Sequence, residues 1–145
     1  SDDPETAAQL GLAFAEGVGL SNVITTYKHF PGAGDGSDYP TSVWITLEEL
    51  EKNGLAVYKA AIENGAEMIM TSAVTFPLID EEYLLADGQT RGFYPATISP
   101  GIVTKMLRED LGFDGVVITG GEPTLQKGLY QFIFEIKIKT RKEYL

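Results

Sequence analysis

The feature that most constrains this chain is an alternation, made three times over, of a helical apolar stripe and a short unbroken apolar strand. The first helix opens at Asp3-Pro4-Glu5: a capping carboxylate, a proline suited to the first helical position, and an acid at the positive end of the dipole. Ala7, Leu10, Gly11, Phe14, Ala15 and Val18 then fall on one face of a 3.6-residue period, which Gly19 and Asn22 close. Val23 to Phe30 reads as a strand, since Val23, Ile24, Thr25, Thr26 and Tyr27 all favour extended backbone. Thr46 with Glu49 forms a capping box, and Leu50, Gly54, Val57, Tyr58, Ala61 and Ile62 make a second stripe that Asn64-Gly65 stops. Glu67 to Ala73 is the second strand, followed by a long connection from about Thr75 to Thr97. Ser99-Pro100 opens a third helix striped by Val103, Met106, Leu107 and Leu111 and ended by Gly112, and Asp114 to Thr119 is the third strand.

Strands that are apolar throughout are buried on both faces, which implies parallel pairing in an α/β fold. A βα barrel and an open doubly wound sheet both satisfy this pattern. A complete (β/α)₈ barrel needs roughly 250 residues, whereas this chain has 145 and shows about three units.

The period changes near the end. Phe132, Phe134, Ile136 and Ile138 alternate with Ile133, Glu135, Lys137 and Lys139, which predicts a β-strand over 129–139 where another unit would bring a helix. The charge changes too. Residues 122–145 hold five basic and three acidic side chains, a net of +2, so the remainder carries −12 of the chain's −10. The expected division is a body at 1–121 and a divergent tail at 122–145.

The acidic balance argues against nucleic acid, which needs clustered Lys and Arg. There is no cysteine, so no disulfide and no thiolate metal site. No apolar run approaches the roughly 20 residues of a membrane span. Residues 1–20 lack the basic start of a secretory signal. No cofactor is expected and no metal-ligand spacing stands out; the compartment stays open between cytoplasm and cell exterior.

Chemistry-bearing residues gather after the first strand. Lys28 and His29 stand at its end, and Pro31 to Pro40 can only be a loop, carrying Asp35 and Asp38. Taken alone, His29 reads as a half-buried histidine bonded to a carbonyl and Lys28 as a surface lysine. Pro31-Gly32-Ala33-Gly34 lacks the spacing of a phosphate loop. Tyr39, Trp44, Phe93 and Tyr94 read first as packing and second as faces on which a sugar stacks. Asp80, Glu81 and Glu82 read as a solvated face rather than a cation site.

Four segments carry a family likeness. Lys28 to Asp35 (KHFPGAGD) resembles the KHFPGxGD motif of glycoside hydrolase family 3, in its β-N-acetylhexosaminidase branch. Ala66 to Ala73 resembles the strand that follows, Pro95 to Ser99 (PATIS) the family's PATLS, and Leu107 to Thr119 (LREDLGFDGVVIT) its LREELGFDGVVITD. These segments stand in order at family-like spacing. The resemblance implies a partial (β/α)₈ barrel of parallel strands, to which the period-two run near the end adds an atypical C-terminal strand. It also implies retaining hydrolysis of a terminal β-linked N-acetylglucosamine or glucose.

Retaining hydrolysis requires a carboxylate nucleophile and a general acid/base. In the family the nucleophile is the Asp that ends the VITD strand; here Gly120 holds that position. Glu122, two residues on, is the only nearby carboxylate. The acid/base in this branch is a loop His paired with an Asp, yet the only His here is His29, and Ala33 and Ala73 stand where many relatives have His. The resemblance therefore implies no catalytic pair in this chain, and a surviving sugar-binding pair in Lys28 and His29. The alternative is a non-catalytic sugar-binding or assembly module. A partial barrel also has open sheet edges, so self-association or the remaining barrel segments are the other expected partners.

Overall fold

A computed structural model describes residues 3–32, 42–84 and 87–118. Helix α1 spans Pro4–Gly19 and strand β1 Thr26–Phe30; α2 (Leu47–Lys52) and α3 (Gly54–Glu63) follow, then β2 (Met68–Thr71). The short strands β3 (Tyr83–Leu84) and β4 (Arg91–Gly92) come next, then a π-helix over Pro100–Asp110 and β5 (Val116–Ile118). Strands β1, β2 and β5 form one parallel sheet in the order β1-β2-β5, with Thr26 opposite Met68 and Met68 opposite Val116. Each step along the sheet is thus a crossover through helix.

The core lies between this sheet and its helices. Phe30, Ile69, Leu50, Leu55, Tyr58, Ile102, Leu107 and Phe113 are all buried in one cluster. Phe30 meets Tyr58 edge-on, ring centroids 5.0 Å apart, which ties the end of β1 to α3. After the π-helix, Gly112 takes a left-handed step (φ +66°) and the Phe113 N–H donates to the Leu107 carbonyl at 3.1 Å, folding the Phe113 ring back into the core.

Several expectations change. The second stripe is two helices, not one: the chain turns at Asn53, and Gly54 opens α3. The capping box is present as read, with Thr46 and Glu49 each bonding the other's backbone. The connection from Thr75 to Thr97 contains the antiparallel β3–β4 pair, missed because two-residue strands carry no period. The third helix is wound wide, its end closed by the Leu111 N–H on the Met106 carbonyl, five residues back. It buries Ile102 with Met106 and Leu107, so its inner face is displaced from the expected stripe. The predicted strand at 129–139 lies outside the described residues.

Candidate functional site at the strand ends

Lys28 and His29 stand at the C-terminal end of β1, Lys28 exposed and His29 half-buried. Register slips here: Lys28 pairs with Met70, but Phe30 pairs with Thr71, so His29 is the extra residue of a bulge. The peptide bonds Lys28–His29 and Phe30–Pro31 are both cis. Fully buried Phe30 anchors the strand end, and its carbonyl accepts the Ser72 N–H at 2.7 Å, fixing the ends of β1 and β2 to each other. Partial burial, and then the neighbouring Lys28 ammonium, hold the His29 imidazole below its ordinary value of 6.5, so it is neutral at pH 7.

The turn after β1 is shaped by a glycine pair. Gly32 has φ +121°, and a Cβ there would come within 3.1 Å of the Gly54 Cα; a Cβ on Gly54 would come within 2.8 Å of the Pro31 carbonyl oxygen. Sequence reasoning took Gly54 as a stripe member, but its role is to let α3 touch the turn that follows Lys28-His29-Phe30. Only the glycine itself, placed among larger stripe residues, pointed that way.

The end of β2 is polar and closed to water. Thr71 and Ser72 are buried; the Ser72 hydroxyl accepts the Val74 N–H at 3.4 Å, while the Thr71 hydroxyl has no hydrogen-bond partner among the described residues. Ala73, where many relatives carry His, is exposed. Asp35, Asp38, Gly120 and Glu122 lie outside the described residues.

Other candidates are engaged elsewhere. Asp80 Oδ1 accepts from the Tyr83 hydroxyl at 2.9 Å and from the Glu81 N–H at 2.9 Å. Glu82 faces Arg91 at 3.9 Å. Among the described residues no three His, Cys, Asp or Glu side chains gather as a metal would need, and no helix is long and apolar enough to cross a membrane. A cavity of about 380 Å³ beside Glu16, Tyr27 and Asn64, and one of about 440 Å³ beside Lys59, Tyr83 and Lys105, are lined by neither Lys28 nor His29.

Parallel strands joined by helices, with polar residues at the strands' C-terminal ends, define an α/β protein whose chemistry sits at those ends, as in a βα barrel or an open doubly wound sheet. The profile of the glycosyl hydrolase family 3 N terminal domain matches residues 1–122, and this chain belongs to that family. It is 34% identical over 124 residues to an uncharacterized secreted glycosyl hydrolase of Arthroderma benhamiae, covering 81% of this chain and 32% of that one. It is 31% identical over 123 residues to a β-hexosaminidase of Stenotrophomonas maltophilia, covering 82% and 33%. Among solved structures it resembles a family 3 β-N-acetylglucosaminidase from Paenibacillus, at TM-score 0.68 and 35% identity over 81% of this chain and 21% of that one. It also resembles the β-N-acetylglucosaminidase of Thermotoga maritima, at TM-score 0.68 and 32% identity over 83% and 24%. The chain thus spans about a third of the curated relatives named here, and the fold is part of the family's barrel.

Proposed function

We propose that this chain is the core piece of a retaining β-glycosidase barrel, that Lys28 and His29 bind the terminal β-linked N-acetylglucosamine or glucose of a glycan, and that the 145-residue chain alone does not turn it over. The observation that carries the binding reading is the pair itself: an exposed ammonium beside a neutral, half-buried imidazole, at the strand end where barrels keep their chemistry. Both donate hydrogen bonds, and the neutral imidazole also accepts one, which suits vicinal hydroxyls. The names of the relatives support N-acetylglucosamine as the sugar. The alternative, a non-catalytic sugar-binding or assembly module, is favoured by Gly120, because a residue without a side chain cannot attack an anomeric carbon. The division at 121/122 belongs to the same proposal: barrel before, divergent tail after.

Titration with N-acetylglucosamine tests the binding. The His29 ring signals should move, with a dissociation constant of millimolar order, about −4 kcal/mol. A saturating sugar that leaves them in place, with the fold intact, reduces His29 to a structural role. An aryl β-N-acetylglucosaminide should not be hydrolysed, by the native chain or by Gly120→Asp, since the acid/base is missing as well. Turnover of about one per second, an ordinary enzyme rate, would overturn the inactive reading.

A further inference from the structure

Four aromatic side chains stood as candidate sugar platforms, and the structure separates the three that it describes. Tyr94 is stacked on Tyr83, ring centroids 4.8 Å apart and planes 11° apart, and its hydroxyl donates to the Leu84 carbonyl at 3.1 Å. Phe93 is half-buried. Trp44, the only tryptophan of the chain, is 70% exposed, and among the described residues no hydrogen bond or ring contact engages its indole.

The backbone that carries it is firmly held. Val43 and Ile45, on either side, pack against the core, so the alternation of an extended segment turns Trp44 outward. The Val43 N–H donates to the Thr75 carbonyl at 2.8 Å, and the Ser42 and Thr75 hydroxyls bond at 2.8 Å. Thr75 lies just beyond the C-terminal end of β2, in a segment whose other side is bonded by Ala96 and Thr97. The indole is therefore carried by a hydrogen-bonded ribbon tied through Thr75 to the end of β2, where the Ser72 N–H meets the Phe30 carbonyl beside Lys28 and His29.

We propose that Trp44 is a second sugar platform, taking a neighbouring ring of a β-linked oligosaccharide whose terminal sugar sits at Lys28 and His29. This rests on the carbohydrate reading above and extends its ligand from a monosaccharide to a chain. The chemistry fits: a β-linked gluco-configured ring holds its hydroxyls equatorial and shows C–H groups on both faces. Those C–H groups meet the negative face of an indole. The held ribbon means that little backbone freedom is lost on binding.

Because Trp44 is the only tryptophan, emission excited at wavelengths that tyrosine does not absorb reports on it alone, while the His29 ring reports on the terminal sugar. The test is a titration of the full chain with N-acetylglucosamine and with its β-1,4-linked trimer. The trimer should shift the Trp44 emission and bind about tenfold more tightly than the monosaccharide, about 1.4 kcal/mol. Trp44→Ala should bring the trimer's affinity, read at His29, down to that of the monosaccharide and leave the monosaccharide's unchanged, whereas Trp44→Tyr should keep most of the gain. Equal affinity for both sugars at His29 with unchanged emission, or a trimer affinity that survives Trp44→Ala, overturns the platform and leaves the Lys28–His29 site standing. No response at either reporter overturns both.

Discussion

Helix α1 and the π-helix begin with the same chemistry and end as different objects. Each starts on a capping side chain followed by proline: Asp3 accepts the Thr6 N–H at 2.8 Å, and Ser99 accepts the Ile102 N–H at 3.1 Å. Yet α1 runs 16 residues and buries only Ala8, while the π-helix runs 11 and buries Ile102, Met106 and Leu107. Leu10 and Phe14, the largest residues of the α1 stripe, are 62% and 68% exposed. A cap and a proline fix where a helix starts; what lies beside it decides which face is buried and how tightly it winds. Helix α1 packs on α3, whereas the π-helix puts Ile102, Met106 and Leu107 into the core cluster and donates its Gly101 N–H to the Tyr83 hydroxyl.

The largest test of this contrast is truncation on each inner and outer face. Leu107 is fully buried, so Leu107→Ala should cost about 2–5 kcal/mol through lost transfer energy and the cavity left behind. Leu10→Ala and Phe14→Ala should stay within about 0.5 kcal/mol of the native chain. Urea unfolding midpoints measure all three. A Phe14→Ala cost equal to that of Leu107→Ala would break the comparison, because it would mean that the outer face of α1 is covered in solution.

The same contrast sets what could be read in advance. The order of helices and strands was legible because each strand is a dense apolar run and each helix start carries a cap; Asp3, Thr46 and Ser99 all cap as expected. The burial of the α1 stripe was not legible, since periodicity reports that a face is apolar and not what covers it. The π winding and the break at Asn53 were not legible either: each sits where the chain meets a residue distant in sequence, Tyr83 against Gly101 and Pro31 against Gly54, and a local pattern does not report such contacts. In the candidate site, Lys28 and His29 were visible through motif, but the bulge at His29 and the buried Thr71 and Ser72 beside it depend on pairing that a single strand does not encode.

Glycines give a middle-sized test with opposite signs. A Cβ on Gly101 would lie 2.5 Å from Asp80 Oδ1 and 3.2 Å from the Tyr83 hydroxyl, which itself accepts the Gly101 N–H. Asp80 is held in place by Tyr83 and by Glu81, so it cannot simply swing away. Gly101→Ala should therefore cost about 1–3 kcal/mol by overpacking. Gly17, inside α1, has nothing within 4 Å of such a Cβ, and Gly17→Ala should stabilise by about 0.5–1 kcal/mol through helix propensity alone. Thermal unfolding of both variants decides it; a Gly101→Ala chain as stable as the native one would show that the π-helix start is no more constrained than α1.

The smallest effect separates the two caps by acid. Hydrogen bonds from the Thr6 side chain and backbone hold the Asp3 carboxyl below its ordinary value of 3.8. A carboxyl depressed in the folded chain stabilises the fold at every pH above the ordinary value, and that contribution is lost as pH falls through the folded value, when a proton occupies the accepting oxygen. Ser99 has no such titration. Protection of the Thr6 amide should thus fall below pH 3.8 while that of the Ile102 amide does not follow it. Other carboxylates protonate over the same range, Glu49 in its capping box among them, so the control is Asp3→Asn, which keeps a capping oxygen without a charge. In that variant the Thr6 amide should lose its acid step. If native and Asp3→Asn chains show the same profile, the acid response belongs to the chain as a whole and the two helix starts are held alike.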